Sequence, residues 1–346
     1  MDMLSKVAID FVIDQGACVA GINTLETLKG GPPSADLTYV LSNAKSAITY
    51  AVPIDQNLID PYFAKKDHLQ LEKATYQAYT IASGVSLELG TYLKMKGYDF
   101  AAGTANRHYR MDTENGISDM YPTISHRYLA VRSGVGHFGL SGNILTSQAG
   151  AAVALGSVVT NAELVPTEPL PERENYCDDC GMCIAACASG FMKPKEKITV
   201  SMGGIDFSYS GRRHYMRCGY VCAGYTGLAP SGKWSTWSPG RFPIPEEDDI
   251  LIEMMPKVAQ RYGQWPRIEG GFYHVLMDAK LRTTCANCQF ICYPDRETRK
   301  KRYKMLTESG VIIQKKDGSL EAVTPKEAQE RLATMSPEKR GLYEKI

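Results

Sequence analysis

The residues best suited to chemistry are four cysteines packed into eleven positions, Cys177-Asp-Asp-Cys180-Gly-Met-Cys183-Ile-Ala-Ala-Cys187. Thiolates at this x2, x2, x3 spacing hold 4Fe–4S clusters. The short gaps wrap the first three around one corner of a cube, and a turn of helix carries the fourth towards a second cube. A further run, Cys285-Ala-Asn-Cys288-Gln-Phe-Ile-Cys292, follows about a hundred residues on. Two cubes need eight thiolates, and the two runs supply seven. The eighth comes from elsewhere, with Cys218 and Cys222 both available. Crossed ligation puts Cys177, Cys180, Cys183 and Cys292 on one cluster. Cys187, Cys285 and Cys288, with Cys218 or Cys222, then hold the other. Zinc is the rival occupant, because two Cys-x-x-Cys pairs make a ribbon site. The additional thiols at x2 and x3 spacing fit zinc poorly.

Something must receive the electrons. Tandem clusters pass single electrons and carry no substrate specificity of their own. An electron carrier alone would not need 170 residues before its first run and about ninety between its runs. The chain of 346 residues is long enough for about two domains. Its 44% apolar and 22% charged content is ordinary for a globular protein, and its net charge of +1 exerts no global pull on nucleic acid or membrane. No apolar run approaches the ~20 residues that span a bilayer, and the N-terminus shows no basic n-region or twin arginine. Clustered Cys suit a reducing compartment. The expected location is cytoplasmic. Cys18, alone in an apolar stretch, reads as a small buried hydrophobe.

Helix and strand alternate through the first hundred residues, which predicts an α/β layer architecture. Leu4, Val7 and Phe11 form a helical stripe, and Ala17–Gly21 reads as a strand. Ser46–Pro53 reads as a buried strand ended by its proline. Between about Asp67 and Lys96, apolar residues from Leu71 to Tyr92 recur every three or four positions, giving a helix with Gly97 as its stop. Tyr98–Ala102 would be the next strand. Residues 103–122 form a long polar loop of the kind that is usually functional, carrying His108, Tyr109, Arg110, Asp119 and Tyr121. A short helix to Arg132 leads into Ser133-Gly-Val-Gly-His-Phe-Gly-Leu-Ser-Gly142, whose glycines would let backbone N–H groups approach a ligand. Asn143–Thr146 and Ala152–Thr160 read as strands paired across a Ser-Gln-Ala-Gly turn. Val165–Pro171 is a proline-rich linker and domain boundary. Arg296–Lys304 reads as a solvated basic helix face, and Thr324-Pro and Ser336-Pro start two helices in the tail. His68, His214 and His274 read as surface or packing residues. Trp234 and Trp237 either wall a pocket or pack.

The stretch from Ser133 to Cys187 resembles the core shared by corrinoid-dependent reductive dehalogenases and epoxyqueuosine reductases. The resemblance rests on Gly134-Val-Gly136-His-Phe-Gly139, the Ile-Leu strand, the Val-x-Thr strand, the proline-rich link and the four-Cys run. Gly139-Leu-Ser-Gly142 is closer to the dehalogenase branch. Gln289, after the middle Cys of the second run, fits the shared pattern, and Arg217-Cys218 resembles the isolated Arg-Cys that supplies a cluster ligand, favouring Cys218 over Cys222. Ala188 and Tyr293 depart from the family, where proline often follows the last Cys.

The resemblance implies an α/β (α+β) fold. A nitroreductase-like cobalamin-binding domain over residues 1–170 would be joined to a ferredoxin-like dicluster domain over 171–300. The latter would carry a long insert at 193–284, and a helical tail would cover 301–346. It implies two 4Fe–4S clusters and base-off cobalamin, reduced to Co(I), with Gly134, Gly136, His137, Gly139, Ser141, Gly142 and His126 as cofactor-binding candidates. Tyr121 or Asp119 would supply a proton, and Tyr121 would need a cation such as Arg127 to be a useful acid. The implied activity is an oxidoreductase: a reductive dehalogenase-like cleavage of a small-molecule substrate, fed by a ferredoxin- or flavodoxin-type donor. The alternatives are an epoxyqueuosine reductase acting on tRNA and a dicluster electron carrier without corrinoid.

Overall fold

The computed structural model describes residues 2–103, 108–267 and 284–345. His274 lies outside them, as does part of the expected insert.

The first half is built on a four-stranded sheet of β1 (Val19–Thr24), β2 (Ser46–Pro53), β3 (Phe100–Gly103) and β6 (Val153–Thr160), in the order β1-β2-β6-β3. Every pairing in it is antiparallel. β2 is central and buried on both faces, so its side chains serve two layers. Ile48, Tyr50 and Val52 meet Ala78, Val85 and Leu89 of the helix Leu69–Met95. Ala47 and Ala51 meet Leu129 and Ala130 of the helix His126–Arg132. This period-two alternation, read against helices on each side, gives the expected layers in their α+β form. Tyr50 lies opposite Gly156 in the register. A Cβ on Gly156 would stand 2.5 Å from the Tyr50 ring, so only glycine lets the phenol cross β6 to reach Ser86 on the helix.

One expected pairing is not formed. Residues 143–146 and 152–160 do not lie side by side. β5 (Ile144–Leu145) pairs instead with β4 (His137–Phe138), and β6 is taken by β2 and β3. The intervening turn closes only a Thr146–Gly150 bridge. A long apolar strand gains more from two full-length neighbours inside a sheet than from a two-residue partner beside it.

Beyond the linker, the short helices Met182–Ala185 and Asn287–Ile291 and the longer helix Arg296–Glu308 pack together. Ala186, Phe290, Ile291 and Leu306 belong to the same apolar core as the sheet. Between them run the ribbon β7 (Met192–Met202) and β8 (Ile205–Arg212) and the helices Met216–Cys222 and Asp248–Tyr262. The tail adds the hairpin β9 (Val311–Gln314) and β10 (Leu320–Val323). Two capped helices follow: Thr324 and Glu327 form a reciprocal capping box, and Ser336 caps the last helix. Trp234 and Trp237 are packing residues, with Trp237 Nε1 donating to the Tyr62 carbonyl at 3.0 Å. The basic helix is only half a solvated face. Lys300, Lys301 and Lys304 are exposed, but Arg299 and Arg302 are buried. Their i,i+3 spacing puts both on the inner side.

Candidate functional site

A cavity of about 510 Å³ lies between the sheet's second helix layer and the β7–β8 ribbon. Arg127, Tyr128, Phe138, Asn143, Tyr209 and Arg212 are among its walls. Each is placed by local structure. Ser125 caps the helix His126–Arg132 by accepting from Tyr128 N at 3.3 Å, which orients that helix's first turn. His126 thereby meets Ser157 on β6, Nδ1 to Oγ at 2.8 Å. Burial pushes the His126 pKa down to about 4, so the ring is neutral at physiological pH. On β4 the side chains alternate, so Phe138 faces the cavity while His137 turns towards Glu172, 4.0 Å away.

Of the loop residues expected at a cofactor, Gly142 and His126 line the cavity. Gly134, Gly136, His137, Gly139 and Ser141 are not in its wall. A Cβ on Gly136 or Gly139 would meet Leu145, and one on Gly134 would meet the Glu168 carbonyl. Those glycines let the loop lie flat on its own hairpin and on the linker. Gly142 is different: it has φ +69, and a Cβ there would strike the Arg212 guanidinium. Arg212 Nη2 donates to the Ser141 carbonyl at 3.0 Å, so the loop's end and the ribbon's last residue are locked together.

The cavity is electropositive. Burial lowers the Arg212 pKa, and the nearby Arg127 lowers it further. No carboxylate among the described residues pairs with either guanidinium, and Arg212 Nε is buried with no partner. Two desolvated cations facing one space favour an anion there.

Tyr121 and Asp119 both stand at the mouth, shared with a smaller adjoining cavity. Asp119 accepts from Asn115 Nδ2 at 3.0 Å and Asn115 N at 3.1 Å. These bonds lower its pKa, which favours the carboxylate and makes it a poor proton donor. Arg127, the cation expected beside Tyr121, lines the same cavity. Its charge acts on Tyr215 and Tyr79, and on the thiols of Cys288 and Cys218. Tyr79 is the wall residue that sequence reasoning passed over. Burial raises its pKa, and Arg127 pulls it back. Its signal was available, since it adjoins Ala78 at the edge of the helix's apolar stripe.

The thiols fall into two neighbourhoods. Cys183 lies within electrostatic reach of Cys292, Cys177 and Cys180. Cys218 lies within reach of Cys222, Cys288 and Cys187, and Cys285 within reach of Cys222, Cys288 and Cys218. Cys222 Sγ also donates to the Cys285 carbonyl at 3.4 Å. The groups adjoin through Cys183 and Cys288. All ten cysteines are free, and among the described residues no three ligating side chains converge on a single ion position. Burial pushes the Cys292 pKa up to about 12 and the Cys222 pKa up to about 11. Left alone these sulfurs stay protonated, and a bound metal would deprotonate them. N–H donors point at sulfur, among them Leu140 N at 3.3 Å from Cys177, Asn143 Nδ2 at 3.6 Å from Cys288, and an Arg299 guanidinium nitrogen at 3.9 Å from Cys180. Thiolate sets with N–H donors at sulfur are the donor chemistry that iron–sulfur clusters take.

No protein-family model matches the chain. An epoxyqueuosine reductase of Bacillus anthracis is 34% identical over 67 residues, covering 19% of this chain and 17% of that protein. One from Atelocyanobacterium thalassa is 38% identical over 64 residues, covering 18% and 20%. The matched segment thus spans a fifth or less of those relatives' length. Among solved structures, an N-terminally tagged catabolic reductive dehalogenase aligns over 97% of this chain and 37% of its own, with 10% identity and a TM-score of 0.48. An epoxyqueuosine reductase with an epoxyqueuosine-modified tRNA-Tyr stem loop aligns over 98% and 74%, with 17% identity and a TM-score of 0.42. The sequence matches are to epoxyqueuosine reductases and are confined to one segment of 64 to 67 residues. Among the described residues, no helix is long and apolar enough to cross a membrane.

Proposed function

We propose that this chain is a cobalamin- and 4Fe–4S-dependent reductase that cleaves a small-molecule substrate in the reductive dehalogenase-like manner. The observation that carries the reading is the junction of thiols and cavity. Asn143 bonds Cys288 while lining the cavity, and Arg127 lines it within electrostatic reach of the thiols of Cys288 and Cys218. Electrons stored at the second thiol set would therefore lie directly behind the ligand space.

The residues fit the implied groups. Cys177, Cys180, Cys183 and Cys292 would hold one cluster, and Cys187, Cys218, Cys285 and Cys288 the other. The cavity shares wall residues with adjoining cavities of about 380 and 1070 Å³: Asp119 and Tyr121 with the first, Arg212, Arg213 and His214 with the second. Base-off cobalamin would supply a reducible cobalt centre there. The chain's own residues do the rest. Arg127 and Arg212 hold negative charge, Phe138 and Tyr209 exclude water, and Gly142 lets the loop close against Arg212 of the ribbon. Tyr121 or Tyr79 delivers the proton: Tyr79 has the cation beside it, and Tyr121 has the open position at the mouth. A ferredoxin- or flavodoxin-type donor in the cytoplasm would feed the clusters.

Anaerobic reconstitution tests this. The expected product carries about eight irons, broad absorbance characteristic of the clusters, and corrin bands after cobalamin is added. Protein that holds its iron but never takes cobalamin would leave a dicluster electron carrier and end the proposal. A second reading, epoxyqueuosine reduction on tRNA, is favoured by the sequence relatives. Tight, salt-dependent binding of a tRNA stem loop would select it.

A further inference from the structure

The unused group in this molecule is Lys65. Its ammonium is buried and has no hydrogen-bond partner. A lysine is almost never buried without pairing, because the desolvated charge is costly. The residue is also held in a left-handed backbone conformation, φ +56. That is the usual conformation of the residue that follows a helix's C-cap, here Ala64 at the end of the helix Ile59–Phe63, so Lys65 is set at a defined helix end. Lys65 is therefore fixed in place.

Its surroundings point to the second thiol set. Nζ lies 5.5 Å from the centre of the Trp237 ring. The Trp237 backbone N–H donates to the carbonyl of Thr284, the residue before Cys285, at 3.2 Å. Tyr62, three positions before Lys65, donates its hydroxyl to the same carbonyl at 3.1 Å. The lysine and Cys285 are thus two sides of one packed patch: burial pulls the Lys65 pKa down to about 7, and negative charge at the Cys285 sulfur pulls it back up, so a charged sulfur there keeps the ammonium charged. The first thiol set is arranged differently. Its cation, Arg299, is already matched by Asp178 at 3.0 Å.

We propose that Lys65 is the counter-charge of the cluster held by Cys187, Cys218, Cys285 and Cys288, and that it raises that cluster's reduction potential. The inference rests on reading the thiols as cluster ligands. A cluster gains a negative charge when reduced, and a fixed buried cation stabilises the reduced form more than the oxidised one. Lys65 is a positioning charge and touches no substrate.

The test uses the anaerobically reconstituted full chain with its Lys65→Met and Lys65→Arg variants. Iron is counted in each, and a redox titration is followed by electron paramagnetic resonance. The expected Lys65→Met protein keeps its iron and shows one midpoint moved negative. At fixed potential the reduced-to-oxidised ratio of that cluster falls about tenfold, equivalent to about 59 mV for a one-electron couple. The moved signal is the one that Cys218→Ser also alters, and Lys65→Arg restores it. Loss of that cluster's iron in Lys65→Met but not in Lys65→Arg would equally support the role of charge. Unmoved midpoints at full iron would show that the Trp237 face alone satisfies the ammonium, and would overturn the proposal. Equal iron loss in both variants would make Lys65 a packing residue and overturn it too. An unaltered chain that takes up no iron would instead sink the reading of the thiols, and this proposal with it.

Discussion

The two thiol neighbourhoods use cations in opposite ways. Beside Cys180, Arg299 is tied to Asp178, which Arg296 also approaches at 3.3 Å, so positive charge is balanced before any cluster binds. Beside Cys218, Cys285 and Cys288, Arg127 and Lys65 meet no carboxylate among the described residues. Exposure follows the same division: Asp178 and Asp179 bring the first run to the surface, whereas the second set backs onto the cavity. With clusters held as proposed, a neutralised outer site and an electropositive inner one would make a gradient that draws electrons inward, because unbalanced positive charge favours the reduced form.

The sharpest way to break this comparison is to remove sulfur. Cys183→Ser should cost the outer cluster and Cys288→Ser the inner one, each about half of the iron. Cys218→Ser should behave like Cys288→Ser while Cys222→Ser keeps its iron, and the reverse result would reassign the eighth ligand. Next come the two arginines, tested without iron by thermal or denaturant melts. Arg299→Met leaves Asp178 with Arg296 alone and should cost about 2 kcal/mol, the scale of a lost charged hydrogen bond. Arg127→Met strands no carboxylate and relieves its repulsion with Arg212. Stability should hold while ligand binding in the cavity fails. Equal destabilisation by both changes would erase the proposed difference.

A subtler effect is in pH. The folded pKa of His126 is depressed to about 4 by burial, against an ordinary value of 6.5. Between those values the unfolded chain takes the proton and the folded chain does not. Stability is therefore full above about pH 6.5 and falls as pH drops towards 4. A His126→Asn variant should lose that slope in pH-dependent melts. Smallest of all, Asp119→Asn should leave turnover nearly unchanged, since a carboxylate favoured in its ionised form is not the acid. A large loss of turnover would restore Asp119 as donor.

What could be read from the sequence depended on range. The cysteine runs were legible because cluster ligation is local spacing, and the helix Leu69–Met95 because its period is local too. The sheet order was not legible. The strand after the Ser-Gln-Ala-Gly turn passes over its near neighbour to join strands about fifty and a hundred residues upstream, and no turn chemistry announces that. The cavity was half legible. Tyr121, Asp119, Arg127, His126 and Gly142 stand at it, while Tyr79, Arg212 and Tyr215 join only through folding. The glycine loop misled for a physical reason. Glycine density signals close approach, but at Gly134, Gly136 and Gly139 the thing approached is the chain itself.

The position of β6 in its sheet sets an order of events during synthesis. β2 and β3 have left the ribosome long before the strand that must lie between them, so the first 150 residues wait with an open sheet. Cys292, the last thiol of the outer set, comes later still, and Gly150 rests against its carbonyl. Iron bound as proposed would therefore enter a finished scaffold rather than a nascent one, and a truncated chain would expose seams of apolar strand before it had any cofactor to hold them closed.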